Sequence, residues 1–213
     1  MRTVEESLQR LHLTSVEMLL LHDPDECYRE ALDIAFPTLV ELRRQGVVKA
    51  IGAGMNQWRM LADFARFADP DCLLLAGQYT LLEQEALSEF LPLCHARGIS
   101  VLLAGAFNGG ILASGAVAGA YYKYAPASAA VLARVQQLEE ICAEYQIPLA
   151  AAALQFPLAH PAVTALVIGA ESPTEVVTNR SALQTPIPPA LWEAFRKAGV
   201  LSEAAPVPTS PFL

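Results

Sequence analysis

The sequence predicts an α/β fold built on a parallel sheet. Three observations carry this. Apolar runs of strand length alternate with longer segments of helical spacing, at about 25–30 residues per unit. The runs are near-continuous in Val, Ile, Leu and Ala, as strands buried on both faces are. Polar residues stand at the carboxyl ends of successive runs, at His22, Asn56, Gln78, Asn108 and Glu171, where parallel folds place their chemistry.

The elements follow in order. Val4 to Leu11 has helical spacing, with Leu8 and Leu11 on one side and Glu5, Glu6 and Arg10 elsewhere. Val16-Glu17-Met18-Leu19-Leu20-Leu21 is a strand that ends at His22, ahead of the turn residues Asp23-Pro24-Asp25. A long helix starts at Asp25 and runs through Ala31, Ile34, Ala35, Leu39 and Leu42, with Pro37 placed to kink it. Gly46 ends it after Arg43 and Arg44, cations that suit the helix dipole. Residues 47–52 form the second strand and 57–67 a helix; residues 72–77 form the third strand, leading to Gln78-Tyr79, and 83–97 a helix stopped by Gly98. Residues 99–104 are the fourth strand, followed by Gly105-Ala106-Phe107-Asn108-Gly109-Gly110. A loop with Tyr121, Tyr122, Lys123 and Tyr124 precedes helices over 128–145 and 148–158. Residues 164–168 are the fifth strand, and helices over 173–183 and 189–198 close the pattern. The tail, 206–213, carries too much proline for regular structure. Without a linker or a shift in composition, residues 1–213 read as one domain.

Composition narrows the function classes. The chain is 54% hydrophobic and only 17% charged, with a mean hydropathy of +0.34, too apolar for disorder. No window reaches the roughly 18 uninterrupted apolar residues of a membrane span, and the opening residues lack a signal peptide's apolar core. A net charge of −8 argues against a nucleic-acid footprint. Cys27, Cys72, Cys94 and Cys142 are widely spaced, with no C-x-x-C pair. They read as reduced thiols of a cytoplasmic protein. Neither they nor His12, His95 and His160 have metal-ligand spacing.

Two parallel folds compete: an open doubly wound sheet and a (β/α)8 barrel. A doubly wound dinucleotide binder carries G-x-G-x-x-G after its first strand. Here His-Asp-Pro-Asp follows instead, and the glycines at 52, 54 and 105–110 come later without that spacing. Polar groups at the end of strand after strand are what a barrel's catalytic face needs.

Five segments at these strand ends resemble the aldo-keto reductase family. They are Leu19-Leu20-Leu21-His22-Asp23-Pro24; Val48-Lys49-Ala50-Ile51-Gly52-Ala53-Gly54-Met55-Asn56; Gln78-Tyr79-Thr80-Leu81-Leu82-Glu83; Gly98 to Val101 leading to Gly105 through Leu112; and Ile168-Gly169-Ala170-Glu171-Ser172-Pro173 with Glu175 and Asn179. They match in order and at family spacing. The branch they are most similar to is the sugar dehydrogenases acting on L-fucose, D-arabinose or D-threo-aldoses, supported by residues 121–127 and 153–159.

The resemblance implies NAD(P)-dependent hydride transfer on an aldose or aldehyde, in a (β/α)8 barrel. It also implies that the chain corresponds to strands 4–8, the C-terminal two-thirds, without the first three strands and the Asp, Tyr and Lys of the family's catalytic tetrad. His22 is then the remaining tetrad member, which orients the substrate carbonyl. Such a chain is expected to be inactive alone and to self-associate through open sheet edges. A non-catalytic nucleotide-binding or scaffold subunit, or an inert fragment, is the alternative.

Asn56 and Gln78 are implied to meet the nicotinamide carboxamide, each offering a donor and an acceptor. Gly105, Ala106, Phe107, Asn108 and Gly110 are implied to run beside the pyrophosphate, where backbone N–H groups approach phosphates. Gly169, Ala170, Glu171 and Ser172 lead into a helix whose N-terminus suits an anion, with Glu175 and Asn179 toward the adenosine. Ser172-Pro173-Thr174-Glu175 itself reads as a capping box. Family members using NADP often carry Arg or Lys where this chain has Glu171, so NAD is the expected cofactor. Tyr121 and Tyr124 are candidates for the substrate mouth, with an apolar ring and a polar tip.

Overall fold

A computed structural model describes residues 2–209. α1 (Arg2–Leu11) leads to β1 (Val16–His22). A 3₁₀ turn, α2 (Tyr28–Glu30), a π turn (Ala31–Ala35) and α3 (Phe36–Arg44) return the chain to β2 (Val48–Met55). α4 (Trp58–Phe67), β3 (Cys72–Ala76), a 3₁₀ turn, α5 (Phe90–Arg97) and β4 (Ser100–Ala104) follow. The next connection is the longest. It holds α6 (Ile111–Ser114), the hairpin strands β5 (Tyr121–Tyr122) and β6 (Ala125–Pro126), α7 (Ala129–Glu144) and α8 (Leu149–Leu158). β7 (Val163–Val167), α9 (Pro173–Gln184) and α10 (Pro189–Lys197) complete the described elements.

The main sheet has five parallel strands in the order β1-β2-β3-β4-β7. Each new strand is added on the same side. Same-handed crossovers then put every connecting helix on one face, which is barrel-type winding rather than double winding. Burial follows. Ile51, Ala53, Met55, Leu73, Leu75, Val101 and Leu103 are sealed under the helices. On the alternate face Leu74, Ala76, Leu102 and Ala104 are only half-buried. Met18 and Val167, on the two edge strands of that face, are 40% and 48% exposed. β2 and β3 approach so closely that a Cβ on Gly52 would lie 1.7 Å from the Cys72 carbonyl oxygen.

Packing behind the sheet sets the strand ends. Tyr79, immediately after Gln78, stacks on Phe156 at 5.1 Å; Phe156 meets Trp192 at 6.5 Å, and Trp192 meets Phe195 at 5.9 Å. This aromatic row ties the end of β3 to α8 and α10. Gln155, buried on α8, donates to the carbonyls of Ala182 (2.9 Å) and Thr185 (2.8 Å). It thereby adds donors at the carboxyl end of α9, where carbonyls run short of partners and the Ala182 carbonyl otherwise accepts, among the described residues, only from the Thr185 amide at 3.3 Å.

Several sequence expectations need correction. The helix over 83–97 is broken: a 3₁₀ turn covers Glu85–Ser88 and α5 starts only at Phe90. Pro92 is the reason, because proline belongs in a helix's first turn. The long helix after His22 is interrupted by its π turn just before Pro37, whose missing N–H and ring disrupt the regular ladder there. The second strand extends three residues further, to Met55. The tyrosine-rich segment, read as a loop, is a two-stranded hairpin. Residues 206–209 carry no regular structure, and 210–213 lie outside the described residues.

Candidate active-site groove

The carboxyl ends of β2, β3, β4 and β7 open onto two adjoining clefts of about 600 Å³ and 610 Å³. Both are lined by Gly105, Asn108 and Gly109, so they form one groove across four strand ends.

The turn after β4 divides it. Gly105, Asn108, Gly109 and Gly110 all have positive φ, between +48° and +97°, a region that glycine tolerates and asparagine visits. A Cβ on Gly105 would lie 3.1 Å from the Gly77 amide nitrogen, so this turn lies directly on the end of β3. Asn108 locks the contact. Its Oδ1 accepts from Thr80 Oγ1 at 2.5 Å, and its Nδ2 donates to the Gly77 carbonyl at 3.1 Å. Thr80 Oγ1 in turn accepts from the amides of Leu82 (3.1 Å) and Glu83 (3.0 Å). The Asn108 side chain is therefore a clamp between two strand ends, and the amides of Asn108 and Gly110 are spent inside the turn.

The first cleft runs from this turn over Asn56, Gln57 and Gln78, under the hairpin residues Tyr121, Lys123 and Tyr124. A Cβ on Gly109 would meet the Tyr121 carbonyl at 3.2 Å, so the hairpin rests on the glycine turn. Lys123 (φ +49°) and Tyr124 (φ +65°) form its two-residue tip, the left-handed pair of a type I′ turn. Glu83 holds it from below. The Tyr122 hydroxyl donates to Glu83 Oε1, and Lys123 Nζ lies 2.7 Å from the same atom. Burial and the Glu83 bond raise the Tyr122 pKa. Burial disfavours the Lys123 ammonium, but the bond and charge of Glu83 outweigh it and raise that pKa too.

The second cleft is lined by Ala106, Phe107, Gly110, Gly169, Ala170, Glu171, Glu175 and Asn179 among others. At its far end the capping box forms. Ser172 Oγ accepts from the Glu175 amide at 3.2 Å and donates to Glu175 Oε1 at 3.2 Å, while Glu175 Oε2 accepts from the Glu171 amide at 2.9 Å. Ser172 caps α9 without lining the cleft. The Glu175 carboxylate is committed to the Glu171 amide and the Ser172 hydroxyl within this cap.

The chain matches the Aldo/keto reductase family over residues 1–199. It belongs to this family. Among its relatives, pyridoxal 4-dehydrogenase of Microbacterium luteolum is 41% identical over 95% of this chain and 62% of its own length. D-threo-aldose 1-dehydrogenase of a Pseudomonas species is 37% identical over 93% of this chain and 61% of its own length. The NADH-specific methylglyoxal reductase of Escherichia coli is 25% identical over 84% and 58%. The chain thus spans about three-fifths the length of the relatives it matches. In fold it is similar to an aldo-keto reductase of Bacillus halodurans in its holo form (TM-score 0.75, 22% identity, 98% of this chain and 68% of that one). A glycerol dehydrogenase of Gluconobacter oxydans gives a TM-score of 0.70 at 20% identity, over 100% and 66%. The family match begins at residue 1, so it does not by itself mark the chain as the family's C-terminal two-thirds.

Against this family assignment His22 stands out. Its side chain is 90% exposed, with Nε2 3.5 Å from Asp23 Oδ2. Neither a packed strand-end histidine nor a groove residue describes it: it sits on the edge strand beside Gly54 and lines neither cleft. Of the other thiols and imidazoles, Cys27 is exposed, whereas burial raises the thiol pKa to about 11 at Cys72 and about 12 at Cys94 and Cys142. The described residues contain no group of three or more His, Cys, Asp or Glu that suits a metal. Sequence reasoning gave no role to Gln57, Lys123 or Glu83. Gln57 was findable as an amide next to Asn56; Glu83 was not, because its link to the hairpin crosses 40 positions to Lys123.

Proposed function

We propose that this chain supplies the dinucleotide side of an aldo-keto reductase active site, with NAD or NADP lying along the groove and an aldose or aldehyde as substrate. The continuity of the two clefts through Gly105, Asn108 and Gly109 carries this reading: an extended ligand fits the groove, and a compact one fills half of it.

The residues present fit such a ligand. Asn56 and Gln78 offer paired donors and acceptors to a carboxamide at one end. Glycines at the centre let backbone approach a pyrophosphate without side chains between. Glu171 offers a carboxylate for a free ribose hydroxyl and repels a 2′-phosphate, which favours NAD. When bound, the cofactor supplies the hydride acceptor or donor; the chain's own task is to bind, orient and exclude water. Tyr121 and Tyr124, 56% and 93% exposed, flank the end where a sugar or aldehyde enters. His22 is assigned to orient the substrate oxygen only within a larger assembly, because in this chain it lines neither cleft.

We read the five-stranded sheet as one sector of a barrel within a single domain, since its strands follow in sequence and both edges are open. His22 on an open edge, lining neither cleft, supports little or no turnover by the isolated chain. The uncovered sheet face favours a second reading, a nucleotide-binding subunit that works only within a larger assembly. Three buried free thiols and, among the described residues, no helix long and apolar enough to cross a membrane support a cytoplasmic setting. Calorimetric titration of the chain with NAD and NADH tests the proposal: saturable one-site binding is expected, and no binding by folded chain overturns it.

A further inference from the structure

Among the described residues lining the groove, Lys123 carries the only positive charge, and Glu171 and Glu175 the only negative ones. A dinucleotide brings a diphosphate with two negative charges into this surrounding. Resting on the cofactor reading above, we propose that Lys123 is the counter-cation for that diphosphate, and that it is handed over from Glu83 when the ligand binds.

The geometry is that of a held, transferable cation. Lys123 Nζ lies 2.7 Å from Glu83 Oε1; the lysine side chain is 47% exposed and the glutamate 17%. The lysine thus faces the open cleft while its partner lies beneath the hairpin. Glu83 has a second donor in the Tyr122 hydroxyl, so its carboxylate stays hydrogen-bonded after the ammonium leaves. Lys123 sits at the tip of a two-residue turn and lines the first cleft; the hairpin strand behind it rests through Tyr121 on Gly109, a residue of both clefts, so the ammonium is on the side where a ligand spanning both passes. A lysine is a flexible point charge on a four-carbon stem, suited to swinging from one oxygen to another without moving the backbone. A phosphate oxygen replaces the carboxylate oxygen as its partner; the ammonium gives up the Glu83 ion pair and its contact with Tyr122, over whose ring it lies at 5.3 Å.

The test is titration of the full chain with NAD, ADP-ribose, adenosine and inorganic phosphate. Lys123→Met is expected to weaken NAD and ADP-ribose alike by roughly 10-fold or more, the loss of a hydrogen bond to a charged group, and to leave adenosine unchanged. Lys123→Arg keeps the charge and retains most of the affinity, which separates loss of charge from misfolding. Glu83→Gln removes the competing charge but keeps an acceptor for Tyr122, and is expected to tighten both ligands severalfold. Salt weakens wild-type binding more than that of Lys123→Met. Unchanged NAD affinity in Lys123→Met overturns the proposal while the cofactor reading stands. Equal weakening by Glu83→Gln and Lys123→Met overturns the handover, since the pair would then act only as a strap. Binding of inorganic phosphate as tight as ADP-ribose replaces the dinucleotide with a simple phosphate ligand. No binding of NAD or ADP-ribose to wild type overturns the cofactor reading itself.

Discussion

Glu175 Oε2, in the first turn of α9, accepts the amide of Glu171, just ahead of the N-cap, at 2.9 Å, so two glutamates meet at the far end of the groove. The backbone of Glu171 is thereby fixed, and its own carboxylate stands over the second cleft with no cation among the lining residues. A 2′-phosphate at this end meets repulsion from both side chains.

Glu171→Arg is therefore expected to raise affinity for NADP relative to NAD by about 10-fold, since Arg accommodates a 2′-phosphate and Glu a free hydroxyl. Competitive titration with the two dinucleotides measures the ratio. An unmoved ratio means that the adenosine end of the ligand lies elsewhere.

Asn108 clamps β3 to the glycine turn through Thr80 and Gly77. Asn108→Ala takes away the acceptor of the buried Thr80 hydroxyl proton and the amide donor to the Gly77 carbonyl, and puts alanine at φ +48°. A loss of about 1–3 kcal/mol is expected in urea denaturation, with weaker NAD binding as the turn loosens. Thr80→Val removes three bonds of the same set, the one to Asn108 and those from the Leu82 and Glu83 amides, and is expected to cost at least as much. Equal stability of Asn108→Ala and wild type rules out the clamp.

His160 is 6% exposed, and its Nδ1 accepts the Ala162 amide at 3.2 Å. Burial, and to a lesser degree the charge of His95, lowers its pKa below the usual 6.5. The unfolded chain thus binds a proton at a pH where the folded chain does not. Stability from this site is intact above about 6.5 and falls as pH drops from there toward the folded pKa. Denaturation between pH 7.5 and 5.5, on the order of the window this linkage spans, is expected to show that decline, reduced in His160→Asn. A slope identical in the two proteins places the linkage on other groups.

Met18 and Val167 mark two open edges of an uncovered apolar face. Edges of this kind pair with other chains. Light scattering of the isolated chain is expected to show concentration-dependent association, reduced by Met18→Lys and Val167→Lys together. A monodisperse, cooperatively unfolding wild-type monomer contradicts this.

The strands and their order of appearance were legible because buried parallel strands write themselves as apolar runs, as in Leu19-Leu20-Leu21 and Leu73-Leu74-Leu75. The capping box at Ser172 was equally legible, being a local pattern over four residues. The hairpin was not. Its tip is Lys123-Tyr124 rather than the Asn-Gly pair that announces such a turn, and it is held there by Glu83, far away in the chain. The break before α5 was readable from Pro92 alone, had the first-turn preference of proline been weighed against the apolar periodicity.

By itself, then, the sequence determined which residues stand at strand ends, and through their order the family to which the chain belongs. Tertiary structure decided which of those residues share a wall. Asn56, Gln78, Gly105 and Glu171 converge on one groove, because in-register parallel strands bring their carboxyl ends to one rim. His22 remains apart, since an edge strand has a neighbour on one side only. Asn108 turned inward because it bridges two strand ends through Thr80 and Gly77, and Lys123 lines the cleft because it stands at the tip of a hairpin that rests through Tyr121 on Gly109.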